Sequence, residues 1–346
     1  MTAPAQAGRR LAVLGALLLA SLAAVALVVA ISVGIGDLPI PLATTFSAIT
    51  NRLGWTRVEI SRIHETVIWD YRLSRALVAA CCGAGLALSG AIMQSLLRNP
   101  LAEPYVLGIS AGASTGAVAI VILGLGGGAV SLSVGAFAGA FAAFLLVAPL
   151  SNGTRGGADR TILAGVAASQ LFNAATSYIV TTSGNAQQAR DVMFWLLGSF
   201  GGVRWPEFTL VALVVGSGLV ACLLQARILD AFAFGDEAAA ALGVQVGRAR
   251  LALFALTALM TATIVSMVGS IGFVGLVVPH TARFVVGPLH LRLLPACTVA
   301  GAVFMVLADI AARALIPQQV LPIGVVTALV GVPVFSLILY RFQGAA

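Results

Sequence analysis

The sequence predicts an all-α integral membrane protein with about ten transmembrane helices in one domain spanning residues 1–346. Three observations carry that prediction. The chain is 60% hydrophobic and only 9% charged, whereas a soluble domain carries about 25% charged residues. Apolar runs of about 20 residues, the length that crosses a bilayer, recur from end to end. Most of the charges stand between those runs. A globular core cannot hide this much apolar surface, so lipid must form part of the solvent.

The elements follow in order. Residues 11–35 carry no charge and follow Arg9 and Arg10, which mimics a signal peptide. A signal h-region is about 7–15 residues, so this longer run reads as a first span. Residues 36–71, with Trp55, Trp69 and mixed charges, read as a partly amphipathic loop lying along the interface. The second span is 76–97. RNPLAEP (98–104) is a turn whose prolines stop helix continuation. The uncharged stretch 104–154 is too long for one span, and the glycine cluster 124–128 divides it into 104–124 and 130–150. Gly108 and Gly112 have the small-xxx-small spacing that lets a neighbouring helix approach closely.

The fifth span, 161–182, carries Ser169, Gln170, Asn173, Thr176 and Ser177. Positions 169, 173, 176 and 177 share one helical stripe, which serves as helix–helix glue or as pore lining. VMFWLLGSFGGV (192–203) is too short to cross and reads as a half-helix or an interfacial segment; non-helical backbone at membrane depth is tolerated only beside protein or a wet cavity. After the span 208–226 comes the loop 227–250. Its alanine-rich centre favours helix, Asp236 and Glu237 suit a helix start after Gly235, and Gly243 suits a stop. Spans 251–268 and 273–289 are divided at GSIG (269–272), followed by 293–313 and 321–340.

An even number of spans puts both termini on one side. With that side cytoplasmic, Arg9, Arg10, Arg98, Arg155, Arg160, Arg227, Arg248, Arg250, Arg283, Arg292 and Arg341 are inside. Arg52, Arg57, Arg62, Arg72, Arg75, Arg190, Arg204 and Arg313 are outside. The positive-inside rule favours this orientation, and the outer arginines read either as solvated charges or as contacts for an acidic partner.

Composition also excludes functions. All 19 basic residues are arginine, so the chain has neither the P-loop lysine that contacts ATP phosphates nor a Schiff-base lysine. The arginines are scattered between apolar runs, which argues against nucleic acid. Cys81, Cys82, Cys222 and Cys297 lie in or beside apolar runs without CxxC spacing and read as small hydrophobes, with no metal site expected. An ion-coupled secondary transporter needs intramembrane carboxylates. Only Asp309 approaches membrane depth, and Arg313 stands four residues on, in position to pair with it. No set of residues combines acid and base roles as an enzyme site requires.

VIWDYRLSRALVAACCGAGLALSGAIMQSLLRNPLAEPYVLGISAGAS (67–114), LAGVAASQLFNAATS (163–177), FWLLGSFGGVRW (194–205) and the block from GSIGFVGLVVPHTARF to VGVPVF (269–335) together resemble the permease subunits of type II ATP-binding-cassette importers. This is the FecCD-like family that takes up ferric siderophores, haem and cobalamin. The likeness covers roughly residues 60–342. It implies the type II importer permease fold, a homodimer with ten helices per subunit, two ATP-binding ATPase subunits on the cytoplasmic face and a substrate-binding protein on the outer face. It implies a multi-pass protein of the bacterial cytoplasmic (inner) membrane with both termini cytoplasmic, and no cofactor in this chain, ATP and Mg being held by the partner ATPase. By the same resemblance the loop 227–250 is a cytoplasmic coupling loop, with Phe234, Gly235, Asp236, Glu237, Ala239, Leu242 and Gly243 at the ATPase. Arg72 and Arg75 of DYRLSR and Arg313 of ADIAAR match the arginines that dock the binding protein, although Ser74 stands where the family usually has proline. The fifth span borders the translocation path through Ser169, Asn173, Thr176 and Ser177, joined by Met93 and Gln94 of the second span. His280 belongs to a P-H-x-x-R motif with Pro279 and Arg283, which implies a cytoplasmic structural or ATPase-facing role. His290 reads as an inner-loop residue. His64 reads as a solvated loop histidine or, in a haem importer, an iron ligand. A ferric siderophore is the first expectation for cargo, then haem, then cobalamin; the residues do not choose among them.

Overall fold

A computed structural model describes residues 3–343 except 37, 126, 128, 129, 152–156, 184, 317 and 318. Arg155 and part of the 124–128 glycine cluster therefore lie outside the described residues, as do the side chains of Arg9, Arg10 and Arg341. The described residues fold into helices α1 (Ala3–Gly34), α2 (Leu42–Arg52), α3 (Arg62–Thr66), α4 (Ser74–Leu96), α5 (Ile109–Leu123), α6 (Leu132–Ser151), α7 (Gly157–Ser183), α8 (Ala186–Leu196), α9 (Trp205–Leu224), α10 (Ala226–Ala233), α11 (Asp236–Ala241), α12 (Val246–Val268), α13 (Val274–Val286), α14 (His290–Ala314) and α15 (Ile323–Gln343). A π-helical stretch, Val67–Leu73, joins α3 to α4, and a 3₁₀ turn, Pro104–Leu107, precedes α5. Among the described residues, six helical segments are long and apolar enough to cross a membrane: 62–96, 132–150, 159–182, 205–224, 246–268 and 290–314. Apolar stretches at 19–34 and 323–337, within α1 and α15, and the shorter apolar helices α5 and α13 occupy the remaining stretches that the sequence marks as spans.

α4 is the axis of the bundle. Nearly every residue from Ala76 to Leu96 is buried, and α14, α13, α9 and α12 pack around it. The apolar environment offers little hydrophobic drive between helices in lipid, so close approach of backbones has to supply the attraction. A methyl group at Gly83 would lie 2.1 Å from the Gly301 carbonyl oxygen, and one at Gly90 would lie 1.9 Å from that of Gly275. The expected close packing at Gly112 is present: a methyl there would lie 2.3 Å from the Gly139 carbonyl oxygen, pinning α5 to α6.

The expected division at GSIG holds in sequence, since α12 ends at Val268 and α13 starts at Val274, but its depth differs and one other boundary moves. The GSIG break (269–272) is not a turn at the end of the bundle. Gly85 of α4 faces Ile264 of α12, and Gly90 faces Gly275 of α13, so the break lies level with the middle of α4, a helix of 23 residues and about 34 Å. α13 is accordingly only 13 residues long. The third run likewise does not become helical at residue 104. Residues 99–108 turn back into the bundle, with Pro104 against Gly275, and α5 starts at Ile109. The first part of the 192–203 piece, to Leu196, is the end of α8, which begins earlier, at Ala186, behind an Asn185 capping box, and the rest is irregular. Gln188 bonds the Val121 carbonyl near the far end of α5, while Gly198 abuts Ser270, so α8 runs halfway into the bundle.

Irregular backbone at this depth must find internal partners, and it does. Tyr105 Oη donates to the Ile271 carbonyl at 2.9 Å and accepts from the Ile271 N–H at 3.0 Å. The Ser199 N–H reaches the Val268 carbonyl at 2.8 Å, ending α12. The N–H groups of Ile323 and Gly324, at the start of α15, donate to the carbonyls of Gly198 and Leu197 at 3.0 Å each. Ser110 Oγ donates to Ser270 Oγ at 2.9 Å. The ends of α8 and α12 and the starts of α5, α13 and α15 thus satisfy one another.

Candidate functional site

Three places carry the residues that the sequence singles out. The first is the loop between α9 and α12. Its expected helix–turn–helix is α10 and α11, with Gly235 (φ 105°) entering α11 and Gly243 (φ 83°) leaving it, both in the left-handed region that glycine tolerates. Asp236 pairs with Arg250 of α12, which is 7% exposed, and Ala239 is buried, so this loop is anchored. Glu237 points to solvent, and Phe234 and Leu242 are 82% and 73% exposed. Two large apolar side chains flanking an acid on one projecting loop make a surface shaped for a partner. Asp230 of α10 ties the loop to the bundle. Its Oδ1 accepts the His290 N–H at the start of α14 at 2.9 Å and meets His290 Nδ1 at 2.6 Å, while His290 Nε2 meets Ser95 Oγ of α4 at 2.6 Å. His290 is 2% exposed, so it is a buried tie and not the inner-loop residue expected. Sequence spacing gave no signal for this triad, because its members come from three distant segments.

The second place is the opposite end of the bundle, where the three arginines matched to docking are engaged within the chain. Arg75 Nε and NH2 reach Asp309 of α14 at 2.9 and 2.7 Å, and Arg313 Nε reaches it at 3.1 Å. Arg313 also donates to Ser32 Oγ at 2.8 Å and to the Ile35 carbonyl, and Arg72 donates to the Val33 and Leu38 carbonyls. Asp309 is fully buried, Arg72 is 7% exposed, and the Arg75 and Arg313 side chains are 15% and 9% exposed. The i,i+4 pair with Arg313 was legible from spacing; the forked bond from Arg75 was not. A buried carboxylate needs more than one donor, and these arginines supply them while closing the last turn of α1. The outer arginines that remain exposed are Arg52, Arg57, Arg62 and Arg190. His64, on α3, is half-buried.

The third place is the polar face of α7. Met93 and Gln94, expected beside it, are instead in the core, 0% and 4% exposed. The Gln94 amide donates to the carbonyls of Gly275 and Leu276 at 3.2 Å each and accepts from Arg283. Gln94 is therefore a joint between α4 and α13. On α7 the stripe divides. Thr176 Oγ1 meets Thr115 Oγ1 of α5 at 2.8 Å, which makes it glue. Ser177 is exposed. Ser169 and Asn173 join Gln170, Ile162 and Val166 in lining a groove of 340 Å³ whose other wall is Glu103, Tyr105 and Val106. Glu103 was missed as a site residue, although it sits in the RNPLAEP turn. The backbone N–H of Phe273 faces its carboxylate. Phe273 itself has φ 69°, an outlier for a bulky residue, held where α13 starts. His280 stacks edge-on with Phe284 at 5.2 Å on α13. Among the described residues no group of three or more His, Cys, Asp or Glu side chains is arranged to hold a metal ion, and the cysteines are unpaired.

A model of the FecCD transport family matches residues 22–341. The chain belongs to that family. Curated FecCD relatives agree along nearly the whole length. The cobalamin import system permease protein BtuC of Halobacterium salinarum is 38% identical over 319 residues, covering 90% of this chain and 82% of that protein. The hemin transport system permease protein HmuU of Yersinia pestis is 36% identical over 315 residues, covering 90% and 91%. A solved structure described as a metal-chelate type ABC transporter in an inward-facing conformation is similar with a TM-score of 0.82 and 30% identity, covering 94% of this chain and 99% of that one. The chain is thus an ABC importer permease of the FecCD family, a multi-helix membrane protein with a transport role and not a catalytic one.

Proposed function

We propose that this permease forms a homodimer in the bacterial cytoplasmic membrane and imports a metal chelate, with an iron chelate such as a ferric siderophore as the first candidate and haem or cobalamin as the alternatives. Each subunit contributes ten spans, α1, α5, α13 and α15 completing the six others, and both termini face the cytoplasm. Two ATPase subunits, which hold ATP and Mg, dock on Phe234, Glu237 and Leu242. The observation that carries this reading is that loop: its base is fixed by the Asp236–Arg250 pair and its tip is exposed and apolar. A substrate-binding protein docks on the opposite face, at the end of the bundle that carries Arg72, Arg75 and Arg313 and where Arg57 and Arg62 are exposed. The cargo passes along the Ser169–Asn173–Ser177 face of α7. That face is wide and weakly sticky, as release into the cytoplasm requires.

The test is reconstitution of the permease, its ATPase and its binding protein in proteoliposomes. ATP-driven accumulation of a chelate inside the vesicles is expected, and Phe234→Arg with Glu237→Arg should separate ATP hydrolysis from uptake. Uptake that needs an ion gradient and proceeds without ATP would refute the reading.

A further inference from the structure

The groove beside α7 holds a carboxylate with no ion-pair partner among the described residues. Glu103 lies level with the middle of α4, since the adjacent Pro104 packs on Gly275 and Gly275 faces Leu86 and Gly90. An ionisable group at that depth is costly unless it has a partner. Among the described residues no arginine lies within salt-bridge distance of it. The nearest arginine in sequence, Arg98, is turned away onto Gly235 of the cytoplasmic loop, and Arg283 is engaged by Gln94. The Phe273 N–H faces one side of the carboxylate, which has about four acceptor positions. The rest open into a groove of 340 Å³, at the small end of ligand-site volumes and suited to one arm of a larger chelate. Across it stand Gln170 and Asn173, both exposed, whose amides supply further donors and acceptors.

We propose that Glu103 is a specificity-determining residue of this groove: it accepts hydrogen bonds from amide, hydroxyl or ammonium donors on the passing chelate and disfavours polyanionic chelates. The inference rests on the reading of the α7 face as the translocation path, and it narrows the cargo class within that reading to neutral or cationic, donor-rich chelates. A cationic group on the chelate would hold the carboxylate ionised, because an opposite charge close by favours the charged form, and hydrogen bonds to an ionised acceptor are the stronger kind.

The experiment measures equilibrium binding of two ferric chelates to the permease–ATPase complex in lipid nanodiscs without the binding protein, so that the delivery partner's own selectivity is absent. The chelates are a cationic ferric trihydroxamate, ferrioxamine B, and a trianionic ferric tris-catecholate, ferric enterobactin. The wild-type complex should prefer the trihydroxamate. Glu103→Gln should shrink that preference by about tenfold or more, the worth of one charge-assisted bond, and Glu103→Asp should restore part of it. Gln170→Glu, at an exposed position on the facing wall, should enlarge the preference, and it decides the matter if Glu103→Gln does not fold. A wild-type complex that binds neither chelate or prefers the tris-catecholate, or a preference that neither Glu103→Gln nor Gln170→Glu changes, would overturn the proposal. Absence of ATP-driven uptake by the complete wild-type system would instead refute the importer reading.

Discussion

α4 and α7 are both long and apolar enough to cross a membrane, yet 89% of the most apolar stretch of α4 is buried inside the chain, against 11% for α7. Both carry polar residues. On α4, Gln94 and Ser95 are spent on carbonyls and on His290. On α7, Gln170, Asn173 and Ser177 face outward. A polar side chain within an apolar span therefore says nothing about its use until the neighbouring helices are known. In α4 it closes the bundle; in α7 it leaves a face for cargo or a second copy.

The largest test of this contrast uses glycine. Gly165 is on the packed side of α7, where an added methyl would lie 1.6 Å from the Val106 carbonyl oxygen, and Gly90 of α4 is equally tight. Gly165→Leu and Gly90→Leu should each abolish accumulation of folded protein, because backbone cannot give way as a flexible side chain can. Leu163→Ala, two residues along on the exposed side of α7, should leave the thermal midpoint nearly unchanged, within about 0.5 kcal/mol. Equal loss in all three would mean that α7 has no free face.

Next in size is the ion network at the outer end of α4. Arg75→Leu leaves the fully buried Asp309 with Arg313 as its remaining ion-pair partner and should cost about 3–5 kcal/mol, read as a lowered unfolding midpoint in detergent. Adding Asp309→Leu should recover part of that loss. If Arg75→Leu instead melts like wild type and only weakens capture of the binding protein, the arginine is a docking residue and the buried network is secondary.

Much of this was legible in the sequence. Charge-free runs located the apolar helices because hydropathy reports length and composition, and glycine, alanine and acid placement located α10 and α11 because those are local preferences. The buried state of Arg72, Arg75 and Arg313 was not legible. It depends on the end of α1, some forty residues and more away in sequence, folding over them. Nor was the mid-bundle junction, since GSIG reads as a turn whether it lies at a surface or beside Tyr105. The partners of Gln94 were not legible for the same reason: they are carbonyls of α13, nearly two hundred residues on. Glu103 was passed over because a glutamate between two prolines reads as a solvated turn until that turn is seen to enter the bundle.

Smaller effects sharpen the comparison further. Gln94→Ala removes two hydrogen bonds to carbonyls and the Arg283 contact, and should lower stability by about 1–3 kcal/mol while uptake per folded molecule stays near wild type. Asn173→Ala should do the reverse, leaving stability within about 0.5 kcal/mol and lowering uptake.

The most direct measurement is water access to the two helices in the assembled transporter. In a background with Cys81, Cys82, Cys222 and Cys297 replaced, single cysteines at Asn173 and Ser177 of α7 and at Ala87 and Met93 of α4 would be exposed to a charged, membrane-impermeant thiol reagent, with and without ATP. The account predicts that positions 173 and 177 react, at rates that change when ATP is bound, and that 87 and 93 stay silent until the protein is unfolded. Reaction at 87 or 93 with silence at 173 and 177 would put the path along α4 and contradict the assignment of the α7 face.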